Sequence, residues 1–410
     1  MDKDIIPVSW EKRGNLITVI GVGGSGNNAV SYMYPMELKD VDFVICNTDV
    51  AAMSLSPVPV KVQIGPGVTH GLGTGMDYEL GRKAAEESVE EIGRLLDGDS
   101  EMVFITCGMG GGTGTGAGPV LARLAKERGK LTVGVVTIPF RDEGKESLYR
   151  AVEGFREMSK YVDSLLVIDN EKLYEIYGSM VVEQGFNKAD EVLATAVKSI
   201  SEVITTTGKI NVDFADVKKI MSNSGVAIMG IGEAQGPDRA VKAVENALNS
   251  PLLNDLNLGN VKNALINITG SSDNEHGIRL SELSQIMEFT AQYTGATINF
   301  KRGIVYNNEM EDRISVTIIA TGFEMWQLPV IDENEINRGN YIDVRMIRDI
   351  FKSRKRGTPL SPDNDKRFNK KRVAGTPSLI AEDLRLLKDL EKETAYSRRY
   401  RLLATTGNNE

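Results

Sequence analysis

Twelve residues, "GMGGGTGTGAGP" (108–119), limit what this chain can fold into more than any other stretch: seven are glycine, two are threonine and none is charged. Glycine gives up more conformational freedom on folding than any other residue, roughly 0.5–1 kcal/mol relative to alanine in regular structure. Here it is concentrated between an apolar run, "MVFITC" (102–107), and a segment with helical periodicity, "PVLARLAKERG" (119–129). That order predicts a strand, a tight loop and a helix, with Pro119 near the helix start, where a missing N–H does no harm. Such a loop offers main-chain N–H donors, and the Thr113 and Thr115 hydroxyls, to an anion.

The same device occurs about 85 residues earlier. In "VIGVGGSGNNAV" (19–30) a strand runs into Gly21, Gly23, Gly24 and Gly26 and on into a helix. Alone, this loop fits a dinucleotide fingerprint, with Asp49 standing about 20 residues on as ribose reader, or a tight turn with no ligand. Two such loops on one sheet are much harder to explain as turns. No GxxxxGK[ST] occurs, so the ligand's charge has to be met by backbone dipoles and a metal ion rather than by a lysine.

Strand-like runs fall at 16–22, 42–46, 60–64, 102–107, 131–138 and 164–168, with helical patterns such as 77–96 and 119–129 between them. Continuous apolar strands divided by helices predict a parallel sheet covered on both faces, an α/β fold of Rossmann-like type that binds ligands beyond the carboxyl ends of its strands. A long helix over 188–208 follows. A second, smaller α+β domain is expected after it, with strands at 225–232, 263–269, 296–302, 303–307 and 313–322 and helices near 237–249 and 279–294. From about 326 the pattern dissolves into a charged, turn-rich linker, expected to be disordered, and helical periodicity returns at 378–403.

Charge divides the same way. Residues 1–325 carry 30 Lys+Arg against 44 Asp+Glu, and 326–410 carry 18 against 13. The acidic globular part is a poor general binder of nucleic acid. No run of about 18 apolar residues predicts a membrane span, and the N-terminus has no apolar signal core, so a cytoplasmic protein is expected. Cys46 and Cys107 end β-rich apolar runs and are expected to be buried, reduced thiols. His70 and His276 are the only histidines; they lack metal-ligand spacing and are assigned to loops.

The glycine run closely resembles the signature loop of the tubulin/FtsZ family. Further motifs follow in the family's order: "GVGGSGNNAV" (21–30), "NTD" (47–49), "GLGTG" (71–75), "TIPFRDEG" (137–144), "DNEKL" (169–173), "FNKAD" (186–190), "NVDFADV" (211–217) and, near the C-terminus, "ETAYSRR" (393–399). The resemblance covers residues 15 to about 325. It implies a tubulin/FtsZ-like organisation: a flexible 1–14, a GTP-binding domain (15–187), a central helix and catalytic loop (188–212), a C-terminal GTPase-activating domain (213–325), a basic linker (326–377) and a partner-binding peptide (378–410). It implies a cell-division GTPase that binds GTP or GDP with Mg²⁺ and assembles head to tail into filaments of a ring beneath the membrane. The C-terminal peptide would tether filaments to membrane adaptors.

Roles carry over by position. Gly23, Gly24, Asn27 and Asn28 would hold the α/β-phosphates, with Ser25 and Gly26 in the same nucleotide-binding loop, and Gly110, Gly111, Gly112, Thr113, Gly114, Thr115 and Gly116 would wrap the β/γ-phosphates. Gly73, Thr74 and Gly75 would sense the γ-phosphate, and Asp49 belongs to the nucleotide-binding set. Thr137, Pro139, Glu143 and Asn170 would line the ribose side, and Ser147 belongs to the nucleotide-binding set. Phe186 would stack on guanine and Asp190 would read it: a carboxylate accepts from both N1–H and the exocyclic amine, and adenine leaves that charge unsatisfied. Asn211, Asp213 and Asp216 would enter the next subunit's nucleotide pocket, the acids polarising the attacking water. Taken alone, Asp213 and Asp216 also read as plain helix caps.

Four positions depart from the family. Asp190 stands where Asn is usual, Asp142 where Phe is common, Ser147 where an arginine contacts the nucleotide, and Tyr32 where another arginine is common. Losing two guanidinium groups leaves a specialised polymer with weak GTP hydrolysis as the alternative reading. Arg141 and Arg150 are the candidates to compensate.

Overall fold

Apolar runs become strands and the periodic segments between them become helices. In this computed structural model the described residues are 14–177, 180–205, 213–250, 261, 263–294 and 299–323. The chain begins β1 (Ile17–Val22), α1 (Gly23–Met33), β2 (Val41–Asn47), α2 (Val50–Ser54), β3 (Val60–Gln63) and α3 (Pro66–Thr69). It continues α4 (Tyr78–Glu87), α5 (Val89–Leu96), β4 (Met102–Gly108), α6 (Thr113–Glu127), β5 (Leu131–Ile138) and α7 (Lys145–Met158). Then come β6 (Ser164–Asp169), α8 (Asn170–Tyr177), α9 (Val182–Thr205), α10 (Phe214–Met221) and β7 (Gly225–Ala234). Last are α11 (Arg239–Leu248), β8 (Asn263–Gly270), α12 (Leu280–Thr294), β9 (Asn299–Tyr306) and β10 (Ile314–Phe323).

The strands form one sheet in the order β3-β2-β1-β4-β5-β6-β7-β10-β8-β9. The first six are parallel throughout, the Rossmann order 3-2-1-4-5-6. β10 runs antiparallel to β7 and β8, and β8 is parallel to β9. A narrow seam joins the two halves: β7 meets β6 over Ser164–Leu166 and Gly225–Ala227 only. All the described residues lie in the unit that ends at Phe351. The expected linker (326–377) and peptide (378–410), like residues 1–13, lie outside the described residues.

β1 and β5 are buried along their whole length, as strands covered on both faces must be. On one face Val19, Phe43, Phe104 and Val133 pack against α1 and the apolar side of α9; on the other Ile20, Ile105 and Val136 pack against α6 and α7. A third cluster holds α11 and α12 against Ile266, Ile304 and Ile318. Cys46 and Cys107 are buried free thiols, and burial pushes each up to about 12.

Four local expectations are corrected. The single helix over 77–96 is broken at Ser88, whose buried hydroxyl accepts the Gly65 N–H at 3.0 Å and ties the backbone to that turn. The runs 296–302 and 303–307 belong to one strand, β9, continuous through Gly303, which lies against Val203 of α9. α9 begins at Val182 rather than 188. α6 begins at Thr113, so Pro119 is inside it and not near its start. The glycine run is itself the first turns of that helix, which lies so close to α4 that a Cβ on Gly116 would fall 2.0 Å from the Tyr78 carbonyl oxygen.

Candidate nucleotide site

Val22 and Cys107 are register partners at the ends of β1 and β4, so both glycine loops leave the sheet side by side where the strand order reverses. That is where doubly wound sheets bind ligands. Gly23 turns with φ +73°, and a Cβ there would fall 2.8 Å from the Gly114 nitrogen. Only glycine allows the two loops so close. Asp49, Asp77 and Asp213 cap α2, α4 and α10, whereas α1 and α6 have no side-chain cap. Two helix N-termini, each with unpaired N–H groups and partial positive charge, therefore converge. Gly24, Ser25 and Gly111 are exposed at the rim, and a Cβ on Gly24 or Gly111 would meet nothing within 4 Å. The cradle fits a polyphosphate.

Other members of the loops support that cradle from behind. Gly26 and Asn27 are buried. In the amide orientation that satisfies both its ends, Asn27 donates to the Gly21 and Gly23 carbonyls and accepts from Asn47. Asn28 is the exposed asparagine of the pair. Gly110 N–H donates to Thr115 Oγ1 at 2.9 Å, and Gly116 N–H donates to the Gly112 carbonyl at 3.0 Å. Gly112, Thr113 and Gly114 are buried in the turn between. Thr113 Oγ1 lies 2.7 Å from Thr48 Oγ1 and 3.4 Å from Thr74 Oγ1. This chain of hydroxyls ties the loop of Gly73, Thr74 and Gly75 to the α6 N-terminus. Gly73 N–H adds a bond to the Thr48 carbonyl at 3.2 Å, and Asp49 Oδ1 accepts the Ala52 N–H at 3.0 Å.

On the far rim, Thr137 is the penultimate residue of β5, its carbonyl accepting Met109 N–H at 3.0 Å, and Pro139 directly follows the strand. Glu143 folds back to accept Phe140 N–H at 2.8 Å. Ser147 is buried in the first turn of α7, its Oγ 2.5 Å from where a Gly110 Cβ would stand. One turn on, Arg150 Nε–H donates to the Gly110 carbonyl at 2.7 Å. Arg150 thus reaches the signature loop; the side chain of Arg141 lies outside the described residues. Asn170, first residue of α8, has a buried Oδ1 with no hydrogen-bond partner among the described residues, the kind of orphan a ligand hydroxyl satisfies.

Phe186 lies in α9, its side chain outside the described residues. Asp190, one turn on, has no hydrogen-bond partner among the described residues, and burial pushes its carboxyl up to about 7. Tyr32 of α1 packs against the core cluster of that face and comes within electrostatic reach of Lys188 of α9.

Asn211 lies outside the described residues. Asp213 is the N-cap of α10: its Oδ1 accepts Asp216 N–H at 2.7 Å. Asp216, in the first turn, pairs with Lys301 of β9 at 2.7 Å. β9 packs near Val203 of α9 through Gly303. The acids therefore sit by the C-terminal end of α9, and Asp190 lies 13 residues earlier, about 20 Å along the helix.

A cell division protein FtsZ of Porphyromonas gingivalis is 41% identical over 408 residues, 96% of this chain and 87% of that protein. Family models agree: the GTPase domain of the Tubulin/FtsZ family matches residues 16–178, and the FtsZ family C-terminal domain matches 225–324. The chain belongs to the tubulin/FtsZ family. A Pseudomonas aeruginosa cell division protein FtsZ is 47% identical over 308 residues, 75% of this chain and 77% of that protein. Among solved structures, an empty FtsZ dimer from M. jannaschii superposes with a TM-score of 0.71 at 41% identity, covering 77% of this chain and 89% of that one. CetZ2 from Haloferax volcanii shares the fold, with a TM-score of 0.67 at 24% identity, covering 82% and 99%.

Within this family member, Thr48 and Lys301 are the contacts that sequence reasoning missed. Thr48 stood inside a quoted motif, "NTD", and its hydroxyl chemistry was the available signal. Lys301 gave none, because its partner is 85 residues away in sequence.

Proposed function

We propose that this chain is a polymerising GTPase of cell division whose complete active site is made by two subunits. The observation that carries the reading is the division of the chemistry along α9. The uncapped cradle of α1 and α6 takes the phosphates, and Asp213 and Asp216 stand at the other end of that helix. An acid pair so placed serves the nucleotide of a neighbouring copy stacked head to tail. Leu72 and Met76, which flank Thr74, are 84% and 69% exposed, an apolar surface beside the γ-phosphate sensor for that neighbour to cover.

In this reading the N–H groups around Gly24 and Gly111 bind the phosphates, Asn170 takes a ribose hydroxyl, and Asp190 reads guanine. Asp213 and Asp216 orient and polarise the attacking water. Mg²⁺ would come with the nucleotide, and the Thr74 and Thr113 hydroxyls, 3.4 Å apart, are side-chain oxygens that would hold it. When bound, the ion offsets phosphate charge during transfer. Asn211 would position the loop, and residues 378–403 would dock adaptors beneath the membrane at the division site. Among the described residues no helix is long and apolar enough to cross a membrane.

The test is light scattering of the purified chain with GTP, GDP or ATP. GTP alone is expected to raise scattering, and to let it decay as GTP is consumed. A chain that ignores GTP ends the reading. Assembly without measurable phosphate release would instead favour the specialised, weakly hydrolysing polymer that Ser147 and Tyr32 suggest.

A further inference from the structure

The Asp216–Lys301 pair has no structural need. Its side chains are 29% and 45% exposed, and exposed ion pairs contribute little to stability. Yet the pairing is specific. Register places Lys301 opposite Leu265 of β8, and the alternation of β9 puts it on the same face as Gly303, whose bare backbone admits Val203. Lys301 is thereby aimed along α9 toward the first turn of α10. Lys218, in the last turn of α10, instead lies over the Phe214 ring, 5.9 Å from its centroid. Asp216 Oδ1 takes the ammonium, and Oδ2 has no partner among the described residues. Asp213 spends Oδ1 on the helix cap.

We propose that Lys301 is a positioning residue for the polymer's active site. It fixes the rotamer of Asp216 so that the unpaired oxygen faces the neighbour's nucleotide. It also cancels one of two negative charges that assembly must bring against a triphosphate. Like charges at such an approach oppose association and slow encounter. The inference rests on the reading that Asp213 and Asp216 act on the neighbour's nucleotide.

The experiment compares Lys301→Met and Lys301→Arg with the parent for the concentration needed to assemble with GTP and for phosphate release per sedimented subunit. Lys301→Met is expected to raise the assembly threshold several-fold, less so at high salt, and to lower release per assembled subunit about tenfold. Lys301→Arg should restore both. Adding Asp216→Asn to Lys301→Met removes both charges, so the threshold should return toward the parent value while release stays low.

A parental threshold and parental release in Lys301→Met overturn the proposal. So does GTP-independent aggregation with normal release, which would make Lys301 only a guard on an edge strand. Asp213→Asn and Asp216→Asn run beside them: if both release phosphate normally, the shared-site reading itself fails. If both lose release while Lys301→Met keeps it, only this inference fails.

Discussion

Asp213 accepts the Asp216 N–H as the N-cap of α10, so deleting its side chain costs helix stability before any chemistry is considered. Asparagine caps as well as aspartate but carries no charge, which separates the two roles. Asp213→Ala is expected to lose ~1 kcal/mol in thermal or urea unfolding. Asp213→Asn should unfold like the parent. Both should assemble, and both should lose roughly 10²-fold or more in phosphate release, the scale of a general base. Full release from the Asn variant would reduce Asp213 to a cap. Asp190 makes a pH-dependent prediction. Its carboxyl rises from 3.8 to about 7 by burial, so between those values the folded protein holds more protons than the unfolded one. Stability of the nucleotide-free protein then falls as pH rises through that window and levels above it. Asp190→Asn should flatten the profile. If Asp190 reads guanine as a carboxylate, GTP affinity should rise from pH 6 to pH 8 in the parent and stay level in the variant.

At the scale of elements, what the sequence made legible follows from burial. The runs at 102–107 and 131–138 are buried along their whole length because the sheet is covered on both faces, so their largely apolar content located them almost to the residue. The start of α6 was not legible. Gly-Thr-Gly-Thr carries no helical propensity, and tertiary packing against α4 and β4 overrides that. Nor could spacing show that Asn27 faces inward to hold the loop, or that Ser88 breaks a helix because Gly65 needs an acceptor. Arg150 was foreseen as a replacement cation; the structure gives it a narrower task, latching the Gly110 carbonyl from α7. Arg150→Ala should weaken GTP binding about tenfold by fluorescence titration, the loss of one charge-assisted hydrogen bond, with little change in melting of the empty protein. Unchanged affinity would show that the loop keeps its shape without the latch.

At the scale of the whole molecule, one sheet carries the phosphate cradle at its switch point, and α9 spans from Asp190 to the acid pair beside β9. On the proposed reading no subunit brings its own acids to its own phosphates, so hydrolysis is expected to rise with assembly. The most direct measurement is phosphate release per subunit against protein concentration, with sedimentation on the same samples, for the parent and for Asp213→Asn combined with Asp216→Asn. The parent should release nothing measurable below a threshold and a constant amount per sedimented subunit above it, and the double variant should sediment without releasing. Release per subunit that is independent of concentration, or a double variant that releases like the parent, would contradict a site shared between two copies.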